Sequence, residues 1–134
     1  MRRTYIDAGV LIAAARGIEP LSSKARSILT DAGREFVCSD YVKLEVAPKA
    51  TYFHREPEVR FYESFFATAI TWRRFDAIDL EMALVEACES GLSAMDAVHV
   101  VVAATSKCDE LITLEKPGRP IHRTKLIAVT SIDF

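Results

Sequence analysis

Short β-prone runs alternate with stretches of helical period along the whole chain, and that alternation leaves few folds open. Thr4-Tyr5-Ile6, Phe36-Val37-Cys38, Ile70-Thr71-Trp72, Leu111-Ile112-Thr113 and Leu126-Ile127-Ala128-Val129 read as strands. Leu11, Ala14, Ala15 and Ile18 keep helical spacing until Gly17 and Pro20 stop the run. Ala25, Ile28, Leu29 and Ala32 make a second stripe, capped by Ser22 or Ser23 and closed by Gly33. Ser39 or Asp40 opens a helix running to Pro48, and Val59, Tyr62, Phe65, Phe66 and Ala69 mark a longer one after Pro57. Leu80, Ala83, Leu84, Ala87 and Cys88 give another, ended by Gly91. The helix from Ser93 to about Ser106 is apolar almost all round, which predicts a central position. Strands separated by helices imply βαβ units, a mainly parallel sheet and a three-layer α/β/α sandwich. No linker, repeat or low-complexity segment interrupts the 134 residues, so residues 1–134 are expected to form a single domain.

Composition narrows the class. Half of the residues are apolar and 27% charged, as in ordinary globular proteins. No apolar run approaches the roughly 20 residues of a membrane span. The opening Met1-Arg2-Arg3-Thr4-Tyr5-Ile6-Asp7 lacks the apolar stretch of a secretory signal. Cys38, Cys88 and Cys108 lie far apart without Cys-x-x-Cys spacing, which favours buried thiols in a reducing compartment and predicts a cytoplasmic location. The net charge of −2 speaks mildly against a nucleic-acid partner. Locally, however, residues 107–125 hold five basic residues (Lys107, Lys116, Arg119, Arg123, Lys125) against three acidic ones.

Four acidic residues stand where acidic residues are costly. Asp7 ends the first strand, Glu45 lies in Tyr41-Val42-Lys43-Leu44-Glu45-Val46, Asp96 precedes Ala97-Val98-His99-Val100-Val101-Val102, and Glu115 follows Leu111-Ile112-Thr113-Leu114. A carboxylate removed from water needs a cation or donors, or it stays protonated. In parallel sheets the ligand site lies beyond the carboxyl ends of the strands. That rule places Asp7 and Glu115 directly, and one crevice can collect all four. Mg²⁺ takes oxygen ligands and commonly binds through one or two carboxylates plus substrate phosphate, where it stabilises developing charge.

Each acid also has a plainer reading. Asp7 is a natural N-cap, and Ser93-Ala94-Met95-Asp96 matches a capping box. Glu45 could pair with a lysine at the edge of an apolar face, and Glu115 could be a solvated loop residue. His99, one turn after Asp96, could pair with it or be a satisfied core histidine. Thr113 could bond an acidic neighbour or simply end its strand. The stripe Tyr62, Phe65, Phe66 is core, or a dimer surface if partly exposed. Lys116, Arg119, Arg123 and Lys125 fit RNA phosphates or a solvated basic face. Ser93 lacks the second glycine of a nucleophile elbow.

The segments Tyr5-Ile6-Asp7-Ala8-Gly9-Val10-Leu11-Ile12, Leu44-Glu45-Val46, Gly91-Leu92-Ser93-Ala94-Met95-Asp96-Ala97-Val98-His99 and Asp109-Glu110-Leu111-Ile112-Thr113-Leu114-Glu115 resemble, in order and spacing, the successive motifs of PIN domains. A small domain carrying them is similar to the VapC-type toxins of prokaryotic toxin–antitoxin pairs. The resemblance implies a Mg²⁺- or Mn²⁺-dependent endoribonuclease, with Asp7, Glu45, Asp96 and Glu115 as the four acidic positions. Asp7 and Asp96 would ligate directly, and Glu45 and Glu115 would complete the shell. The expected partners are an RNA substrate, a cognate antitoxin and a second copy of the chain in a homodimer, with no membrane and no sequence-specific DNA binding by this chain alone. The antitoxin would insert an Arg or Lys toward Asp7, Asp96 and their neighbours, with apolar anchors around Leu11, Ile28 and Leu29 where those side chains are exposed. Two departures motivate an alternative, a PIN-like RNA- or protein-binding module with weak or no catalysis. Ala8-Gly9 follow the first Asp where the family has a hydroxyl or amide residue, and the fourth motif ends in Thr113-Leu114-Glu115 rather than Thr-x-Asp. A Mg²⁺-dependent phosphatase is disfavoured by the missing Asp-x-Asp pair, and a nucleotide-binding module by the missing glycine-rich runs.

Overall fold

In the computed structural model, which describes residues 1–132, five strands form one parallel sheet. The strands are β1 (Arg2–Ile6), β2 (Arg34–Ser39), β3 (Thr71–Arg73), β4 (Glu110–Thr113) and β5 (Ala128–Ser131), in the order β3-β2-β1-β4-β5. The helices are α1 (Ala8–Arg16), α2 (Leu21–Leu29), α3 (Asp40–Tyr52), α4 (Glu56–Thr68), α5 (Ala77–Ser90) and α6 (Ala94–Thr105), with a short 3₁₀ turn at Pro120–Arg123. Helices α1 to α4 pack together, and α5 packs on α6. Right-handed crossovers put the two groups on opposite faces, because β1→β2→β3 progresses one way along the sheet and β3→β4 returns the other way. The three-layer expectation therefore holds.

Local chemistry explains where the helices begin and end. Asp7 caps α1 by accepting from Val10 N, and Gly17 closes it at φ 71°. The Asp76 and Asp79 side chains form a reciprocal capping box at the start of α5. Gly91 ends α5 at φ 67°, where a Cβ would also stand 2.9 Å from Arg123 Nη1. Ser93 caps α6 through Asp96 N, and all of residues 97–103 are buried, as the sequence predicts for a central helix.

Several boundaries differ from expectation. Helix α3 continues through Pro48 to Tyr52. A proline removes one ladder bond, and the buried stripe Val42, Val46 and Ala50 carries the helix past it. Pro20, rather than Ser22 or Ser23, precedes α2, and that helix ends at Leu29 rather than Ala32. Ser22 is buried and donates its hydroxyl to Ala14 O, so it ties α2 to α1 instead of capping. The last strand covers residues 128–131, shifted from 126–129 by the register in which Glu110 pairs with Ala128. Tyr62 and Phe65 are core, with Phe66 packed beside them. Leu11 is fully buried and cannot serve as a docking anchor, whereas Ile28 and Leu29 are half-buried. Cys38 is buried, but Cys88 is exposed on α5, contrary to the expectation of buried thiols. Among the described residues, no single helix is long and apolar enough to cross a membrane.

Candidate active site

Strands β1 and β4 are neighbours, yet their chains leave toward opposite faces of the sheet. A crevice opens at such a switch point, beyond the carboxyl ends of the strands. Here its volume is about 250 Å³, and Asp7, Glu45, Asp96, His99, Thr113 and Glu115 are among its lining residues. All four acids singled out from the sequence face this one space. They arrive by different routes: Asp7 and Glu115 follow strands, Glu45 projects from α3, and Asp96 sits in the first turn of α6.

Asp7 is the most constrained of them. Its Oδ1 accepts from Val10 N at 3.3 Å and its Oδ2 from the Thr113 hydroxyl at 2.6 Å. Thr113 Oγ1 in turn accepts from Glu115 N at 3.1 Å. The capping and site readings of Asp7 are therefore compatible, since the cap uses one oxygen and fixes the other. Gly9 fits a tight corner, because a Cβ there would lie 3.2 Å from Leu114 Cδ1 and 3.4 Å from Asp7 Oδ1. Desolvation raises the Asp7 carboxyl above its ordinary pKa, partly offset by the Thr113 bond. Asp96 is raised by the same desolvation and further by the charges of Glu115 and Glu45. The crevice is thus a place where negative charge is crowded and short of water.

Glu115 sits at the rim, exposed, with Oε2 accepting from Arg119 Nε at 3.3 Å. His122 Nε2 lies 2.8 Å from the Glu115 carbonyl oxygen. Arg119 is therefore turned toward an acid of the crevice, while Arg123 reaches Ser90 O at 3.4 Å.

Glu45 holds no lysine. Its carboxylate makes a short contact with His99 Nε2, and the imidazole is almost fully buried. His99 Nδ1 lies 2.7 Å from Tyr5 Oη, which lies 2.8 Å from Ser39 Oγ. The sequence offers Asp96 as the partner of His99, gives Ser39 only as a possible helix cap, and marks Tyr5 for no such role. Tyr5 looks like any core strand residue, and only tertiary structure brings it to a histidine 94 positions away. Ser39 occupies the N-cap position of α3 but makes no capping bond, and its hydroxyl meets Tyr5 instead. An unused Ser cap forgoes on the order of 1 kcal/mol of helix stabilisation.

Not every buried acid belongs here. Glu110, at the opposite end of β4, is met by Arg34 Nη1 at 2.6 Å, Arg2 Nη2 at 3.1 Å and the Thr130 hydroxyl at 2.8 Å. Asp79 is held by Arg73 at 2.8 and 2.9 Å. Asp109, just ahead of β4, accepts from Arg3 N. Burial pushes the Cys38 thiol up to about 12 and Cys108 to about 11, so neither is a ready nucleophile.

The donor set suits a hard divalent cation, since it consists of carboxylate oxygens, two of them on acids that burial penalises when charged. Asp7, Glu45, Asp96 and Glu115 could supply the ligands. Among the described residues, no three His, Cys, Asp or Glu side chains stand as a ready ligand cluster, and a Mg²⁺ ion held by one or two carboxylates would fill its remaining places with water and phosphate.

The PIN domain profile matches residues 4–116. Similar solved structures include a toxin–antitoxin complex from Klebsiella pneumoniae, with 18% identity and TM-score 0.72 over 96% of this chain and 97% of that one. The DNA-bound VapBC of Salmonella typhimurium is 18% identical with TM-score 0.69, covering 98% of this chain and 99% of that one. The sarcin-ricin loop cleaving toxin VapC20 of Mycobacterium tuberculosis is 17% identical with TM-score 0.57, covering 87% and 92%. No curated protein matches the chain. At these identities the structures speak for a shared fold. The profile, however, spans all four acidic positions and every element from β1 to β4, and on that ground the chain belongs to the PIN-domain family.

Proposed function

We propose that this PIN domain, acting as one unit over residues 1–134, is a metal-dependent endoribonuclease and the toxin of a type II toxin–antitoxin pair. The observation that carries the reading is the meeting of Asp7, Glu45, Asp96 and Glu115 in one crevice, with Asp7 locked by Thr113. Asp7 and Asp96 would hold a Mg²⁺ or Mn²⁺ ion directly, with Glu45 and Glu115 completing its shell. Such an ion supplies Lewis-acid stabilisation of charge on the scissile phosphate. The residues of the chain do the rest: Thr113 orients Asp7, and the α6 N-terminus fixes Asp96 through the Ser93 cap.

The antitoxin partner is supported by the fold shared with toxin–antitoxin complexes and by electrostatics. A guanidinium makes bidentate bonds to carboxylates, so an inserted arginine would compete with the cation. Ile28 and Leu29 remain as half-buried apolar contacts for such a partner. A homodimer is supported by the exposed apolar side chains Ile78, Leu80, Leu84 and Val85 of α5. We place the activity in the cytoplasm, in keeping with unpaired cysteines.

A second reading, an RNA- or protein-binding PIN module with weak or no catalysis, is favoured by one observation: Glu115 is at the rim and already paired with Arg119. Incubation of a total RNA pool with Mg²⁺ or Mn²⁺ separates the two. Cleavage that EDTA and Asp7→Asn both abolish supports the nuclease. RNA bound but uncut under the same conditions supports the module.

A further inference from the structure

We infer that His99 is a positioning residue for Glu45, and that Tyr5 and Ser39 set which face of its imidazole meets the crevice. This rests on the proposed reading of the crevice as a cation site. The chain of contacts runs Ser39 Oγ, Tyr5 Oη, His99 Nδ1, His99 Nε2, Glu45 carboxylate. Tyr5 and Ser39 are fully enclosed and His99 nearly so, so the polar atoms of all three must satisfy one another. Glu45 is the exposed end. A flexible glutamate on an exposed helix face has many rotamers; this one is held by a donor that cannot itself move.

The donor count fixes the protons. A tyrosine hydroxyl has one proton and a carboxylate has none to give. Nε2 must therefore carry a hydrogen to meet Glu45, with Tyr5 donating to a bare Nδ1 and accepting from Ser39. If both ring nitrogens carry hydrogens, Tyr5 accepts from Nδ1 and donates to Ser39. Either way Nε2–H points at Glu45. The diversion of the Ser39 hydroxyl from its N-cap role is an independent sign that the chain matters locally, because an ordinary Ser at that position would bond the helix. Hydrogen-bond donors behind a ligating carboxylate orient it toward the metal, and losing one typically costs about 10- to 100-fold in metal affinity.

A merely structural polar core is the competing account, and a double-substitution cycle on the full chain separates them. Mn²⁺ affinity is measured by electron paramagnetic resonance for wild type, His99→Leu, Glu45→Gln and the pair, each with its urea midpoint. Positioning predicts that His99→Leu weakens Mn²⁺ by about 10-fold or more, that Glu45→Gln does likewise, and that the double variant is no worse than either. His99→Gln, whose amide can still donate to Glu45, should recover part of the loss. If the folded His99→Leu protein binds Mn²⁺ as wild type does, or if the two losses add, the inference is overturned while the cation site stands. If wild type itself binds no Mn²⁺, the site reading fails and takes this inference with it. Should His99→Leu not fold, Tyr5→Phe tests the same link, with a several-fold loss of affinity expected and wild-type affinity counting against it. Nitrogen NMR of the wild-type imidazole supplies a readout free of mutation: a hydrogen on Nε2 is required, and a bare Nε2 overturns the proposal.

Discussion

The Thr113 hydroxyl donates to Asp7 Oδ2 at 2.6 Å across 106 residues of sequence, so the end of the fourth strand dictates the orientation of an acid at the end of the first. The two strands are adjacent and parallel, with Ile6 opposite Ile112. The same hydroxyl accepts from Glu115 N, which couples the start of the rim segment to the floor of the crevice.

Thr113→Val keeps the shape of this fully buried residue and deletes both bonds. Stability should fall by about 1–3 kcal/mol, because Asp7 Oδ2 and Glu115 N lose a partner. Mn²⁺ affinity should fall by about 10-fold through loss of orientation. Urea midpoints and a Mn²⁺ titration check both numbers; an unchanged affinity would detach Thr113 from the site.

Asp7→Asn and Asp96→Asn should abolish metal-dependent cleavage yet raise the melting temperature in EDTA. The carboxyls of both are raised by desolvation in the folded protein. A raised folded pKa means that the folded state retains its proton where the unfolded chain has lost it. Stability from these groups is therefore present at acidic pH and lost as pH rises through the folded values. The neutral amide removes that dependence, so wild type and variant should differ least below pH 4 or so, near the ordinary carboxylate range. Thermal scans across pH decide it, and a variant less stable than wild type at neutral pH in EDTA would contradict the argument.

Divalent cations should stabilise the wild type beyond ionic strength. At about 100-fold excess over its dissociation constant the gain is roughly 2.7 kcal/mol. Melting curves in Mn²⁺ that superpose on those in NaCl of equal ionic strength would leave the crevice without a specific ion.

Glu110 provides the contrast. Arg34 and Arg2 neutralise it at the far end of the sheet, with Arg34 mostly shielded and Arg2 more than half exposed. Glu110→Gln should cost about 1–3 kcal/mol, because a buried charged acceptor is lost while Arg34 keeps Asp31 as its ion partner, and Mn²⁺ affinity should stay intact. A loss of Mn²⁺ binding in the folded variant would show that the two ends of the sheet are coupled.

Much of this was legible in the chain. The apolar periods gave the strand and helix order, and the capping signals at Asp7 and Ser93 mark real helix starts. The four acids were identifiable because each interrupts or borders an apolar run. What escaped was set by tertiary contact. Glu110 and Glu115 border one apolar run from opposite ends, and only the fold reveals that Arg34 and Arg2 neutralise the first while the second lines the crevice. The pairing of His99 with Glu45 spans 54 positions and follows from α3 and α6 meeting at one rim of the sheet from opposite faces, not from either helix alone. Pro48 misled for a similar reason, since buried packing on both sides of it outweighs one missing hydrogen bond.

A sheet in which every strand runs the same way sends all strand ends with site residues to one rim and all strand beginnings to the other. The exposed turn at residues 30–33, which leads into β2, belongs to the second rim. Exposed turns of this kind are where inserted sequence is best tolerated. A fluorescent label or affinity handle placed there would report on a chain whose crevice, at the opposite pole, never meets the graft.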